Sequence, residues 1–251
     1  MTTCSLVTGA SRGIGAAIAH ALSAAGHRVA VHAGRDAAAE RVRGALPGSG
    51  HLAVTGDLTS ADSCARVVAE VIEGLGDLDV LVNNAGIFTA HPIQATSYAD
   101  WQQVWRTTLD LNLMAPANLA WLTADHLLHR QAGPAGGRLI SVGSRGGYRG
   151  EPATPAYGAS KAALHAMTQS LAVALAPHGI MAAAVAPGFV DTEMARGVLE
   201  GPDGAAVRAQ SPFGRVASPE EIAAAVAWLA TDAPVWVSGA VLDANGASHL
   251  R

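Results

Sequence analysis

A glycine-rich turn between an apolar run and a helical pattern restricts the fold of this chain more than any other stretch. Residues 4–8 (CSLVT) predict a short strand. Gly9-Ala-Ser-Arg-Gly13-Ile-Gly15 follows at once, and a helical pattern then runs to about residue 25. Strand, glycine turn and helix in that order predict the opening of a dinucleotide-binding βαβ unit. Glycines let the backbone approach a pyrophosphate, and a helix N-terminus adds free N–H groups and a positive dipole end. The spacing is G-x-x-x-G-x-G rather than the commoner G-x-G-x-x-G, and such turns also serve packing alone.

Strand and helix patterns then alternate to the end. Further strands are predicted over 28–33, 51–55, 78–82, 138–142, 180–186 and 239–243. Helices are predicted from Ala37 with Asp36 as its cap, over 60–73, over 101–130 with Asp100 as a candidate cap, and from Ala156 to Pro177. A last helix starts at Ser218, where Ser-Pro-Glu-Glu supplies cap, first-turn proline and capping-box acid. Residues 193–217, rich in Gly, Pro and polar groups, are expected to form a mobile lid. The tryptophans at 101, 105 and 121 are expected in the core or at a subunit interface. No repeat or linker divides the chain, so residues 1–251 are predicted to be one domain.

Composition removes several function classes. A net charge of −4 offers no electrostatic footprint for nucleic acid or an anionic membrane. Cys4 and Cys64 build no disulfide framework, and the chain reads as cytoplasmic. Residues 1–8 lack the basic start of a signal peptide, and no apolar run reaches the ~18 residues of a membrane span. Ten histidines without ligand spacing predict no metal site.

The chemistry concentrates between Ser144 and Lys161. On a helix beginning near Ala156, Tyr157 and Lys161 lie one turn apart on one face. A phenol titrates near ~10, too high for proton transfer at neutral pH. An ammonium ~4 Å away is worth roughly 4 kcal/mol at an effective dielectric of about 20, or up to ~3 units of pKa. Ser144 would donate to a substrate oxygen gaining negative charge. A chance surface pair is the alternative, but the chain holds fifteen Arg and a single Lys, and that Lys is Lys161. A compact ammonium is needed there rather than a planar fork.

At the end of the second strand, Ala33 stands where an NAD-binding unit places an acid for the ribose 2′-hydroxyl. Arg35 and Arg12 are placed to meet a 2′-phosphate, which predicts NADP(H). Inside the long helix, Pro116 has no amide to offer the Asn112 carbonyl. A kink is expected there, which either only bends the helix around the core or leaves that carbonyl to a water that reaches Lys161 and carries protons between Tyr157 and solvent.

Taken together, residues 8–15 (TGASRGIG), Asp57, residues 83–86 (NNAG), Asn112, Ser144, residues 157–161 (YGASK) and residues 187–192 (PGFVDT) resemble the short-chain dehydrogenase/reductase family in its single-domain form. The likeness spans essentially the whole chain. It implies an α/β fold, a single doubly wound Rossmann domain whose seven-stranded parallel sheet has helices on both faces, usually a homotetramer and otherwise a homodimer. By matching position, Ser144 would polarise a carbonyl and Tyr157 would act as acid or base. Lys161 would hold the nicotinamide ribose and lower the tyrosine pKa, and Asn112 would support a proton relay. The cofactor would lie along Gly9, Ser11, Arg12, Gly13, Ile14 and Gly15, with Arg35, Asp57 and Leu58 at the adenosine end. Asn83, Ala85 and Gly86 would follow the ribose, and Pro187, Gly188, Val190 and Thr192 the carboxamide.

The likeness is nearest the 3-oxoacyl-carrier-protein reductase branch, so it implies an NADP(H)-dependent ketoreductase acting on a small carbonyl or secondary alcohol. The stretch from Gly86 to Asn112 is about one helical turn longer than in that branch. Phe88, Arg145, Tyr148, Arg149, Phe189 and Met194 are candidate pocket residues. The alternatives are an NAD-dependent alcohol dehydrogenase of the same family, a catalytically silent binding subunit, and a nucleotide-binding structural protein.

Overall fold

A computed structural model describes residues 2–251. Seven strands, β1 (Cys4–Val7), β2 (Arg28–Ala33), β3 (Leu52–Thr55), β4 (Val80–Asn83), β5 (Arg138–Val142), β6 (Met181–Pro187) and β7 (Val241–Ala244), pair in parallel in the order β3-β2-β1-β4-β5-β6-β7. Strand order reverses between β1 and β4. In an open parallel sheet, that reversal leaves a crevice beyond the strands' carboxyl ends.

Successive side chains of a strand point to opposite faces, so a parallel sheet needs cover on both. Val7 and Ile140 pack with Ile18, Leu22, Ile222 and Val226 on one side, against α1 (Gly13–Ala24) and a C-terminal helix over Pro219–Ala230. Leu6 and Leu139 pack with Val67, Leu75, Leu119 and Leu127 on the other. Those come from helices over Ala61–Leu75 and Ala115–His129. Each such side chain, fully buried, contributes about 1.5–3 kcal/mol.

Local chemistry sets the element ends. Ser218 accepts from the Glu221 amide at 3.3 Å and Glu221 returns the bond at 2.8 Å, the expected capping box. Two expected caps are corrected. Asp36 opens the helix over Asp36–Arg43 as its first residue and does not cap it. Its carboxylate accepts from Thr55 at 2.8 Å, because β3 sets that hydroxyl beside the end of β2. The helix over Tyr98–Leu109 is capped by Ser97, whose hydroxyl takes the Asp100 amide at 3.1 Å.

The long helix expected over 101–130 is instead two α-helices joined by a wide π turn at Asp110–Met114, with the Ala115 amide bonded five residues back to Asp110. Proline at 116 supplies no amide and crowds the carbonyl of 112, and one wider turn absorbs the misfit. Residues 193–217, the expected lid, carry two short helices, Glu193–Leu199 and Gly204–Ala209. Their base is pinned by the parallel bridge Val190–Ala217. Trp101 packs against His91 and Trp105, whereas Trp121 is 65% exposed.

Candidate active site

A cavity of about 570 Å³ occupies the crevice at the carboxyl ends of the strands. Gly9, Ser11, Arg12, Gly13, Ile14 and Gly15 wall one end. Asp57, Leu58, Ala85 and Gly86 form its middle, Ser144, Tyr157 and Lys161 its far end, and Pro187, Gly188, Val190 and Thr192 close it. Five expected residues stay out of this wall: Arg35, Asn83, Asn112, Tyr148 and Arg149.

The glycine turn is fixed by close approach. A Cβ on Gly9 would stand 2.8 Å from Ala85 Cα, and φ there is +62°, in the region that favours glycine. Thr8 stitches the strand ends, its hydroxyl accepting the Asn84 and Ala85 amides at 3.0 Å each. The N-terminus of α1 faces the cavity with no side-chain cap and no acid in its first turn. Uncapped N–H groups with a positive dipole end suit a phosphate. This cradle, at one end of a cavity that also holds Ser144, Tyr157 and Lys161, fits a nicotinamide dinucleotide.

Asp57 is held below the usual carboxylate range by the Thr59 hydroxyl and amide, at 2.7 and 3.0 Å. Asn83 points away from the cavity and donates to the Pro116 carbonyl at 3.3 Å, tying β4 to the helix beyond. Arg35 is exposed beyond the cavity edge, and Arg12 pairs with Glu193 at 3.0 Å. That pair is exposed and contributes little.

At the far end, the helix over Pro155–Leu175 (α6) presents Tyr157 and Lys161 together. The Lys161 ammonium donates to the Val142 carbonyl at 2.8 Å, and burial lowers its pKa to about 8. Burial pushes the Tyr157 phenol up, the Glu151 carboxylate adds to that, and Ser144 pulls the other way. The expected lowering by Lys161 is absent. Its charge is drawn to the strand end, 5.7 Å from the centre of the phenol ring, and burial outweighs it. Phe88 covers the tyrosine edge-on, with ring centres 4.9 Å apart. Ser144 caps the short 3-10 turn Arg145–Gly147, its hydroxyl accepting the Gly146 amide at 3.0 Å.

Asn112 is fully buried in the π turn. Its carboxamide accepts the Ile87 amide at 2.8 Å, donates to the Ile87 carbonyl at 3.0 Å, and donates to Ser160 at 3.2 Å. It holds the chain just after Gly86 rather than facing the cavity.

The sequence reading missed three histidines. A ring nitrogen accepts a backbone amide beside the site in each: Gly9 to His32 at 3.3 Å, Ala156 to His91 at 3.2 Å, and Ser144 to His165 at 3.4 Å. An accepting nitrogen requires the neutral ring. Burial keeps His32 low and takes His165 to about 4. The available signal was position: His165 lies one turn beyond Lys161 on the same face.

Residues 9–249 match the family model described as enoyl-(acyl carrier protein) reductase. The chain is 38% identical to cis-4-hydroxycyclohexanecarboxylate dehydrogenase of Sinomonas cyclohexanicum, over 96% of this chain and 94% of that one. It is 34% identical to 3-oxoacyl-[acyl-carrier-protein] reductase of Escherichia coli, over 98% and 96%. A dehydrogenase/reductase from Sinorhizobium meliloti 1021 superposes with a TM-score of 0.88 at 36% identity, over 100% and 96%. The chain belongs to the short-chain dehydrogenase/reductase family. Within that family it is an oxidoreductase of the ketoreductase type. Among the described residues, no helix is long and apolar enough to cross a membrane, and no group of three or more His, Cys, Asp or Glu could hold a metal ion.

Proposed function

We propose that the protein is an NADP(H)-dependent carbonyl reductase, interconverting a small ketone and a secondary alcohol within one domain spanning the chain. The observation that carries this reading is the convergence of Ser144, Tyr157 and Lys161 at one end of a cavity whose other end is an uncapped helix on a glycine turn. Bound nicotinamide supplies or accepts a hydride. Ser144 donates to the substrate oxygen, and Tyr157 delivers or removes the alcohol proton. Lys161 holds positive charge beside the phenol and the nicotinamide ribose. The turn from Gly9 to Gly15, with Asp57, Leu58, Ala85 and Gly86, would seat the dinucleotide, and residues 187–192 would meet the carboxamide. Asn112 acts on this site through Ile87. Arg12 and Arg35 flank the adenosine end and favour the 2′-phosphate.

The names of the two relatives offer two substrate types, a carrier-bound 3-oxoacyl group and a cyclic hydroxy acid. Exposed Trp121, Val173 and Trp236 favour association of copies into a homotetramer or homodimer. Two buried free thiols suit a reducing, cytoplasmic setting.

The test is NADPH oxidation by the purified chain with a simple diketone. Tyr157→Phe should keep cofactor binding and lose at least ~100-fold in turnover, the scale of general acid catalysis. Near-normal turnover in that variant removes Tyr157 from the assignment.

A further inference from the structure

Arg145 follows Ser144 directly, yet its guanidinium takes no part in the chemistry described above. It is only 4% exposed. One amino group donates to the Gln210 side-chain carbonyl, and the plane lies over the Phe189 ring, 5.2 Å from its centre. Among the described residues, no carboxylate lies within 4 Å of it and its other nitrogens have no protein partner, although none is sealed off. Two other well-covered arginines are satisfied. Arg130 meets Asp77 and Asp79, and Arg138 donates to the carbonyls of Leu229 and Ala233.

A buried cation with no counter-charge within 4 Å is costly; burial and the nearby charge of Arg149 disfavour its charged form, and the more distant Glu151 carboxylate offsets them only in part. Glu151, the acid in the same cavity wall, is engaged by Arg149 at 3.7 Å. The main cavity and a smaller one of about 330 Å³ share only Arg145 and Phe189, so the guanidinium stands at the boundary with open space beside it. In the smaller cavity Arg215 is already taken by Glu221, at 2.7 Å from two nitrogens. The wall that the main cavity shares with Arg145, Ser144 and Tyr157 also carries the apolar side chains of Phe88, Leu111, Phe189 and Met194.

We propose that Arg145 binds a carboxylate of the substrate, and that the substrate is a free oxo acid with a hydrocarbon body between its carbonyl and its carboxylate. A planar guanidinium meets a carboxylate through two parallel hydrogen bonds. The apolar walls suit the spacer, and Ser144 and Tyr157 receive the carbonyl. A neutral thioester would leave the buried charge facing an uncharged chain. The proposal rests on the carbonyl-reductase reading for what happens at the other end of the substrate.

The test uses the full chain with NADPH and two acid–ester pairs: 4-oxocyclohexanecarboxylate and 4-oxopentanoate, each against its methyl ester. In at least one pair the acid should be favoured in kcat/KM by roughly tenfold to a hundredfold, expressed in KM, the factor expected of a charged hydrogen-bonded pair. Arg145→Gln should bring the ratio close to one, and Arg145→Lys should keep part of it. A second measurement needs neither a variant nor turnover. With NADP+ present, cyclohexanecarboxylate should raise the melting temperature of the unaltered chain, and cyclohexanecarboxamide, of the same shape without charge, should not. Acids and esters used equally well, or a melting temperature that answers alike to acid and amide or to neither, overturns the carboxylate site. If no ketone is reduced while the acid alone still stabilises the chain, the reductase reading fails and the Arg145 site stands.

Discussion

Lys161 and Tyr157 share one face of α6 without meeting at the hydroxyl: the ammonium is bonded to the Val142 carbonyl and stands 5.7 Å from the centre of the phenol ring. Lysine is thus a buried charge with one neutral partner. Its pKa, lowered from 10.5 to about 8, means that burial penalises the ammonium. The folded chain binds fewer protons there than the unfolded chain between those values, so this penalty is full below pH 8 and fades as pH rises toward 10.5. Lys161→Met should therefore raise the melting temperature at pH 7 while turnover collapses. About 3 kcal/mol of relieved charge burial is offset by about 1–3 kcal/mol for the Val142 carbonyl left unpaired, at roughly 2–4 °C per kcal/mol. A variant that melts lower than the native chain at pH 7 counts against this balance.

On the NADP(H) reading proposed above, Arg35 should carry the preference more than Arg12, which is already paired with Glu193. A lost charged hydrogen bond costs roughly 1.5–3 kcal/mol. Arg35→Ala should weaken NADPH binding by about tenfold to a hundredfold and leave NADH nearly unchanged. Fluorescence titration with both cofactors decides it. Equal native affinities for the two would end the preference.

The order of elements was legible because strand and helix periods alternate cleanly along the chain. The two strands read with matching ends, β2 and β5, are apolar and bounded by sharp turns. What escaped was tertiary. Nothing local says that Thr55 will claim the Asp36 carboxylate, or that Asn83 will turn to Pro116 while Asn84 ties the glycine turn. Pro116 announced an irregularity, but whether the helix kinks or widens depends on how α6 and the Ile87 loop seat Asn112. The histidines gave no signal because a ring that accepts a backbone amide needs no motif, only a neighbour brought up by folding.

His165 makes the site acid-sensitive. The Ser144 amide donates to its Nε2, its Nδ1 has no partner, and the ring packs where a Cβ on Gly143 or Gly147 would collide with it. Lys161 and Arg251 hold its pKa down along with burial, Asp243 opposes them, and Tyr148 stacks on it. With the folded value near 4 and the unfolded value near 6.5, the unfolded chain takes up the proton first. Stability falls as pH drops through that window, by on the order of 2–3 kcal/mol. Denaturant unfolding at pH 7 and pH 4.5 should show that loss in the native chain and a smaller one in His165→Gln. Equal losses would assign the acid sensitivity elsewhere.

Asn112 has a side-chain role that the sequence does not announce. The sequence suggests a relay in which a carbonyl freed by Pro116 binds water. The side chain, however, is fully occupied, with Oδ1 on the Ile87 amide and both Nδ2 hydrogens donated, to Ile87 and Ser160. Deleting it leaves a buried N–H and a buried C=O unpaired, at about 1–3 kcal/mol each. Asn112→Ala should therefore destabilise the chain by about 2–5 kcal/mol and speed hydrogen exchange at the Ile87 amide. Pro116→Ala separates the backbone role from the side-chain role. An amide restored at 116 lets the carbonyl of 112 take a regular helical bond and favours an α turn where the π turn now stands. That variant should lose turnover by rotating Asn112 off Ile87, and its Ile87 amide should exchange faster too. Loss of turnover with Ile87 still protected would locate the effect at the freed carbonyl, and so return the relay to the backbone of Asn112.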